Sequence, residues 1–154
     1  MDTYAPTFIM RHRLENLKKC TLRGLEKRFD CLFFTYPNDS LPDLSNVSIL
    51  SFDGPLLSQE DQAKGLLLLD ATWRYASKME KLIDPKYRAN YRSLPSHYRT
   101  AYPRKQVDCQ DPSRGLASIE ALYLSYLLLN RPTTGLLDNY YWKEQFLLIN
   151  NLDN

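Results

Sequence analysis

The chain has 154 residues, 44% hydrophobic and 25% charged, with eleven tyrosines and a net charge of +2. That length suits one domain, and the longest aliphatic run, Leu66 to Leu69, is far short of the ~20 apolar residues of a membrane span. The N-terminus lacks a basic segment followed by a long apolar stretch, which argues against a signal peptide. Cys20, Cys31 and Cys109 are odd in number and widely spaced, and only His12 and His97 add imidazoles. This argues against bound metal and points to a reducing, cytoplasmic compartment.

Taken in order, the chain begins with a basic block. Seven Lys/Arg between Arg11 and Arg28 face only Glu15 and Glu26. Asp30 to Tyr36 reads as a buried strand stopped by Pro37, and Val47 to Phe52 as a second, closed by the turn Asp53-Gly54-Pro55. Ser58-Gln-Glu-Asp is an N-cap and acidic first turn for a short helix reaching Lys64. Leu66 to Leu69 is aliphatic throughout, as strands covered on both faces are.

A helix is predicted from Thr72, its N-cap. Tyr75, Met79, Leu82 and Ile83 form its apolar stripe, and Asp84-Pro85 ends it. Pro85 to Val107 holds no acid, while Lys86, Arg88, Arg92, Arg99, Arg104 and Lys105 alternate with Tyr87, Tyr91, Tyr98 and Tyr102. Guanidinium groups neutralise phosphates and tyrosines offer stacking surfaces, so RNA is the partner this pattern suits. Ser118 to Leu129 is apolar all round, a buried helix ended by Asn130-Arg131-Pro132, and Tyr140 to Asn150 is a last amphipathic helix. The alternation predicts an α/β fold with a mainly parallel sheet.

In such sheets ligands bind beyond the carboxyl ends of the strands. Asp70 ends the Leu66–Leu69 run and Trp73 opens the next helix. Asp70 is expected beside a pocket rather than in the core. The same residues also suit a turn carboxylate and a core anchor. No dinucleotide fingerprint, phosphate loop or Ser-His-Asp set is present.

Five segments in order carry a more specific signal: RHRLENLKKCTLRGLEK, LLSQEDQAKG, GLLLLDATW, SLPSHYRTAYPRK and GLASIEAL. They resemble motifs of the ribosome-biogenesis aminocarboxypropyltransferases, which modify a pseudouridine of small-subunit ribosomal RNA, and span the chain from about Arg11 to Leu129. The resemblance implies an N-terminal subdomain, residues 1–50, that contacts RNA and cofactor. It also implies a SPOUT-like catalytic domain, residues 51–154, with a C-terminal trefoil knot.

The implied cofactor is S-adenosylmethionine, whose 3-amino-3-carboxypropyl arm is transferred to N3 of the uracil ring. Asp70 and Trp73 are the implied catalytic pair, Asp70 at the amino end of the cofactor and Trp73 over its methyl. Thr21, Ala76, Leu94, Tyr102, Leu116 and Ala117 complete the implied pocket. Lys18, Lys19, Arg23, Arg88 and Arg92 are implied to hold RNA phosphates. The implied partner is small-subunit rRNA or a pre-ribosomal particle, met by a monomer without metal or membrane.

The chain departs from the family pattern at Ala71-Thr72, often Cys-Ser, and at Ala101 to Lys105, where an Asn-Pro-x-Asn-Tyr turn is usual. Ala117 replaces a Thr, and Asp108 to Arg114 looks inserted. Three alternatives stay open: a transfer-RNA uridine aminocarboxypropyltransferase, a SPOUT-type RNA methyltransferase, and a non-catalytic RNA-binding assembly factor.

Overall fold

Among the described residues five strands form one all-parallel sheet: β1 (Thr7–His12), β2 (Cys31–Tyr36), β3 (Val47–Leu50), β4 (Gly65–Asp70) and β5 (Tyr91–Arg92), in the order β2-β1-β4-β3-β5. The computed structural model describes residues 4–14, 20–71, 73–103 and 115–153, with the backbone alone at residues 73 and 74. Among the described residues three α-helices accompany the sheet: α1 (Trp73–Glu80), α2 (Ser118–Leu128) and α3 (Lys143–Ile149).

Strand alternation sorts the core into two layers. Ile9, Leu66 and Leu68 turn to one face, where they meet Ile119, Leu122, Tyr123 and Tyr126 of α2 and Phe146 of α3. Met10, Val47, Ile49 and Leu67 turn to the other, under Met79 of α1 and Ile83 beyond it. Leu66 and Leu67 are wholly buried on opposite faces, which is why the aliphatic run has no polar alternation.

Both late helices end in the same way. Asn130 and Asn151 take left-handed conformations, at φ 56° and 53°. Arg131 N–H then reaches back to Tyr126 O, and Leu152 N–H to Leu147 O, each at 2.8 Å. This satisfies the last carbonyls of each helix.

Several expectations are corrected here. The expected helix from Ser58 to Lys64 shrinks to a 3-10 turn, Gln59–Asp61, although Ser58 does cap it: its Oγ accepts from Glu60 N–H. The loop expected after Pro85 contains the 3-10 turn Pro85–Asn90 and the edge strand β5. β1 occupies a central place in the sheet, where no strand was expected, because TFIMRH is short and ends in charge. The Thr72 cap and the insertion from Asp108 to Arg114 fall outside the described residues.

The SPOUT-like domain with a trefoil knot is also corrected. The described residues form a single five-stranded parallel sheet whose last strand, two residues long, lies at the edge. After β5 the described residues form α2 and α3, with no further strand and no sign of a knot. Threading is a property of the chain's whole path, which short motifs do not encode. The expected division at residue 50 runs through this one sheet, with β1 to β3 on one side of it and β4 and β5 on the other.

Candidate active site

From β1 the chain moves outward to β2, whereas from β4 it moves to β5 at the opposite edge. The carboxyl ends of β1 and β4 therefore flank a topological switch point, where α/β sheets leave a crevice for ligands. Arg11 and Asp70 are register partners there. Both turn toward the face covered by α2, as the alternation with Ile9 and Leu68 requires.

Asp70 is only 3% exposed, a buried group where a strand-end carboxylate outside the core was expected. Its Oδ2 accepts from Arg11 Nε at 3.0 Å and from the Cys20 thiol at 3.2 Å, and its Oδ1 accepts from Ser118 Oγ at 2.8 Å. Three chain segments distant in sequence are thereby tied to one strand end. A buried carboxylate is tolerated on such terms, with a cation and further donors around it.

Arg11 is shared. Its Nη1 bonds Glu26 at 3.1 Å and its guanidinium lies 4.6 Å from the Phe33 ring centre. Burial works against its charge, but Cys20, Asp70 and Glu26 outweigh burial and raise its pKa. Burial, and then the charge of Asp70, push the Cys20 thiol up to about 12, so it stays protonated and donates. Burial pulls the Glu26 carboxyl upward, but backbone amides and Arg11 hold it below the ordinary value.

A second knot of bonds lies at the start of α2. Thr21 Oγ1 accepts from Ile119 N–H at 3.2 Å, so the segment after Cys20 caps the helix. Ala117, at the N-cap, has no side-chain acceptor to offer. Glu120 instead reaches back to Ala117 N–H at 2.8 Å, the reciprocal half of a capping box. Glu120 is wholly buried and also accepts from Thr100 Oγ1, Ala101 N–H and Tyr140 OH. The chain from Leu94 to Tyr102 is thus drawn to the α2 start, and Leu94, Ala101, Tyr102 and Leu116 pack half-buried against one core cluster.

Of the residues expected from sequence, Asp70, Thr21, Leu94, Tyr102, Leu116 and Ala117 come to the α2 face of the sheet. The backbone of Trp73 opens α1, which packs on the other face, and Ala76 is half-buried one turn further. Among the expected phosphate ligands, Arg23 and Arg88 are exposed, while Lys18 and Lys19 lie outside the described residues. Arg92 turns inward: its Nε bonds both oxygens of buried Asp61, at 3.2 and 3.3 Å, and Nη1 bonds the carbonyls of Ala89 and Tyr91.

Arg11, Cys20, Ser118 and Glu120 are site residues that no single motif assigns. Two had a signal. Arg11 ends an apolar run, as Asp70 does, and Glu120 stands at capping-box spacing from Ala117.

Among the described residues no group of three or more His, Cys, Asp or Glu is placed to hold a metal ion, and no helix is long and apolar enough to cross a membrane. No family model matches the chain, and no curated protein matches it. A solved structure does: that of the SAM-dependent rRNA:acp-transferase Tsr3 from Vulcanisaeta distributa. The two are 23% identical, the match covers 97% of this chain and 80% of that one, and the TM-score is 0.71. The likeness is one of fold, and the fold of this chain is that of the solved transferase.

Proposed function

We propose that the protein transfers the 3-amino-3-carboxypropyl group of S-adenosylmethionine to N3 of a uridine or pseudouridine in small-subunit ribosomal RNA. One observation carries this reading. Asp70, Thr21 and the first turn of α2 meet at the switch point of a sheet with the fold of a SAM-dependent rRNA transferase. The five motif-like segments supply these same residues.

The residues present suit the cofactor. A carboxylate offers about four acceptor positions; described residues fill three on Asp70, and the fourth, on Oδ1, is the one this reading gives to an ammonium group. Leu94, Ala101, Tyr102 and Leu116 offer half-buried apolar walls with backbone polar groups, as an adenine ring requires. When bound, S-adenosylmethionine supplies a methylene carbon made electrophilic by the adjacent sulfonium, with methylthioadenosine as the leaving group.

The protein's work is then mostly alignment. Arg11 and Ser118 fix the Asp70 rotamer from two sides. Trp73 is assigned to cover the methyl, leaving the carboxypropyl arm toward the RNA. Residues 1–50 contribute Thr21 to the cofactor and basic residues to the RNA. The partner in this reading is rRNA or a pre-ribosomal particle, met in the cytoplasm by a monomer.

The test uses two labelled cofactors with small-subunit RNA. Carboxyl label is expected to enter the RNA and methyl label is not. The reverse pattern would make this a methyltransferase.

A further inference from the structure

Glu120 is a wholly buried carboxylate that, among the described residues, accepts four hydrogen bonds, all from neutral donors. Its bonds are distributed evenly. Oε1 accepts from Thr100 Oγ1 at 2.6 Å and from Ala117 N–H at 2.8 Å. Oε2 accepts from Ala101 N–H at 2.8 Å and from Tyr140 OH at 2.9 Å. Each oxygen therefore receives one hydroxyl and one backbone amide.

The two amides belong to different segments. Ala101 lies in the loop from Leu94 to Tyr102, and Ala117 at the N-cap of α2. Thr100 Oγ1, while donating to Glu120, also accepts from Tyr102 N–H at 3.0 Å. The loop has a further clamp one residue earlier, where Asn150 accepts from Arg99 N–H at 2.7 Å and donates to Arg99 O at 2.8 Å. The loop backbone is thus fixed by side chains of α2 and of the α3 end.

We infer that Glu120 is a positioning residue for the cofactor: it sets the backbone at residues 100–102 against that at residue 117, so that the adenosine end is held between two fixed walls. The inference rests on the proposed S-adenosylmethionine site. Its chemistry makes a sharp demand. A carboxylate has only acceptors, whereas glutamine presents one NH2 group. Whichever way that amide is turned, it faces a backbone N–H that cannot accept. The hydroxyls of Thr100 and Tyr140 are able to rotate, but the amides of Ala101 and Ala117 are not. Glu120→Gln therefore releases one wall, although it is nearly isosteric. A buried donor left without its acceptor costs the desolvation of that group.

The test compares wild type, Glu120→Gln, Tyr140→Phe and Thr100→Val by calorimetric titration with S-adenosylmethionine, and by KM and kcat for transfer to RNA. Glu120→Gln is expected to weaken cofactor binding and raise its KM about tenfold, with kcat changed about twofold or less. Tyr140→Phe leaves three bonds to the carboxylate and is expected to change binding about twofold. Thr100→Val frees the loop side alone, with about a threefold loss.

A folded Glu120→Gln protein with wild-type affinity, or one that loses kcat at unchanged KM, overturns the inference. Should Glu120→Gln not fold, Thr100→Val decides, and unchanged affinity there overturns it equally. Wild-type protein that binds no S-adenosylmethionine overturns the proposed activity and this inference together. Wild type that binds beside unaffected variants overturns this inference alone.

Discussion

Arg11 and Asp70 are partners twice over: they face each other in register across β1 and β4, and their side chains close an ion pair of 3.0 Å. Both are nearly buried. Removing one member strands the other. Breaking a buried pair costs about 3–5 kcal/mol, or a Tm lowered by roughly 10 °C in a chain of this size. Asp70→Ala is therefore expected to abolish transfer and also to lower Tm by that order. Pairing it with Arg11→Met is expected to return most of the stability and none of the activity. Melting curves of the single and double variants decide. An Asp70→Ala protein that melts with wild type would remove the pair from the core.

The second prediction concerns acid. Burial pulls the Asp30 carboxyl upward, but bonds from Arg28 and Tyr4 outweigh it and hold the pKa at about 2, against an ordinary 3.8. A depressed carboxylate contributes stability that is present above the unfolded pKa and lost as pH falls through the folded one. The window runs from about pH 4 to about pH 2. Arg28→Gln removes the main counter-charge. The acid-unfolding midpoint, followed by circular dichroism, is expected to rise, with a loss near neutrality of about 2 kcal/mol. An unmoved midpoint would detach Asp30 from acid stability.

The cysteines offer a third prediction. Burial drives Cys20 and Cys31 each up to about 12, Cys20 beside Asp70 and Cys31 beside Asp30. Thiolates are the reactive form, so both are expected to resist alkylation at about pH 8 in the folded protein and to react on unfolding. Peptide mapping by mass spectrometry separates them from Cys109. Cys20→Ser keeps a donor for Asp70 and is expected to preserve transfer. Rapid labelling of Cys20 in the native protein would contradict its place under Asp70.

These contacts show which parts of the molecule the sequence announces. GLLLLD reads as a buried strand because four leucines leave no polar face, and SIEALYLSYLL reads as a buried helix for the same reason. β1 is hidden because TFIMRH is six residues long and its last two are charged or polar, although both are buried. Charge is less legible still. Arg92 stands in a basic run and Asp61 in an acidic one, and the fold pairs them. Arg11 and Arg28 likewise leave the basic block for Asp70 and Asp30. Segregation along the chain thus becomes neutralisation in space, which only the strand order reveals. The bonds of Glu120 were half visible: capping-box spacing marks Ala117, while Thr100, Ala101 and Tyr140 come from loops that carry no such spacing.

The last prediction separates two basic residue sets that look alike in sequence. Lys18 and Lys19 are proposed phosphate ligands, and Arg92, proposed with them, has its guanidinium on Asp61 and two carbonyls. Each phosphate contact on single-stranded RNA contributes about 0.7 to the slope of log affinity against log salt. Replacing Lys18 and Lys19 together with glutamine is expected to flatten that slope by about 1.4 and to leave S-adenosylmethionine affinity unchanged. Arg92→Gln is expected to behave differently. It leaves the 3% exposed Asp61 with Lys64 as its remaining ion pair among the described residues, so Tm falls while the salt slope stays at the wild-type value. Fluorescence titrations of labelled RNA at several salt concentrations, with melting curves beside them, resolve the two. A flattened slope for Arg92→Gln at unchanged Tm would show that Arg92 leaves Asp61 for phosphate, and an unaltered slope for the lysine pair would make those lysines solvated surface.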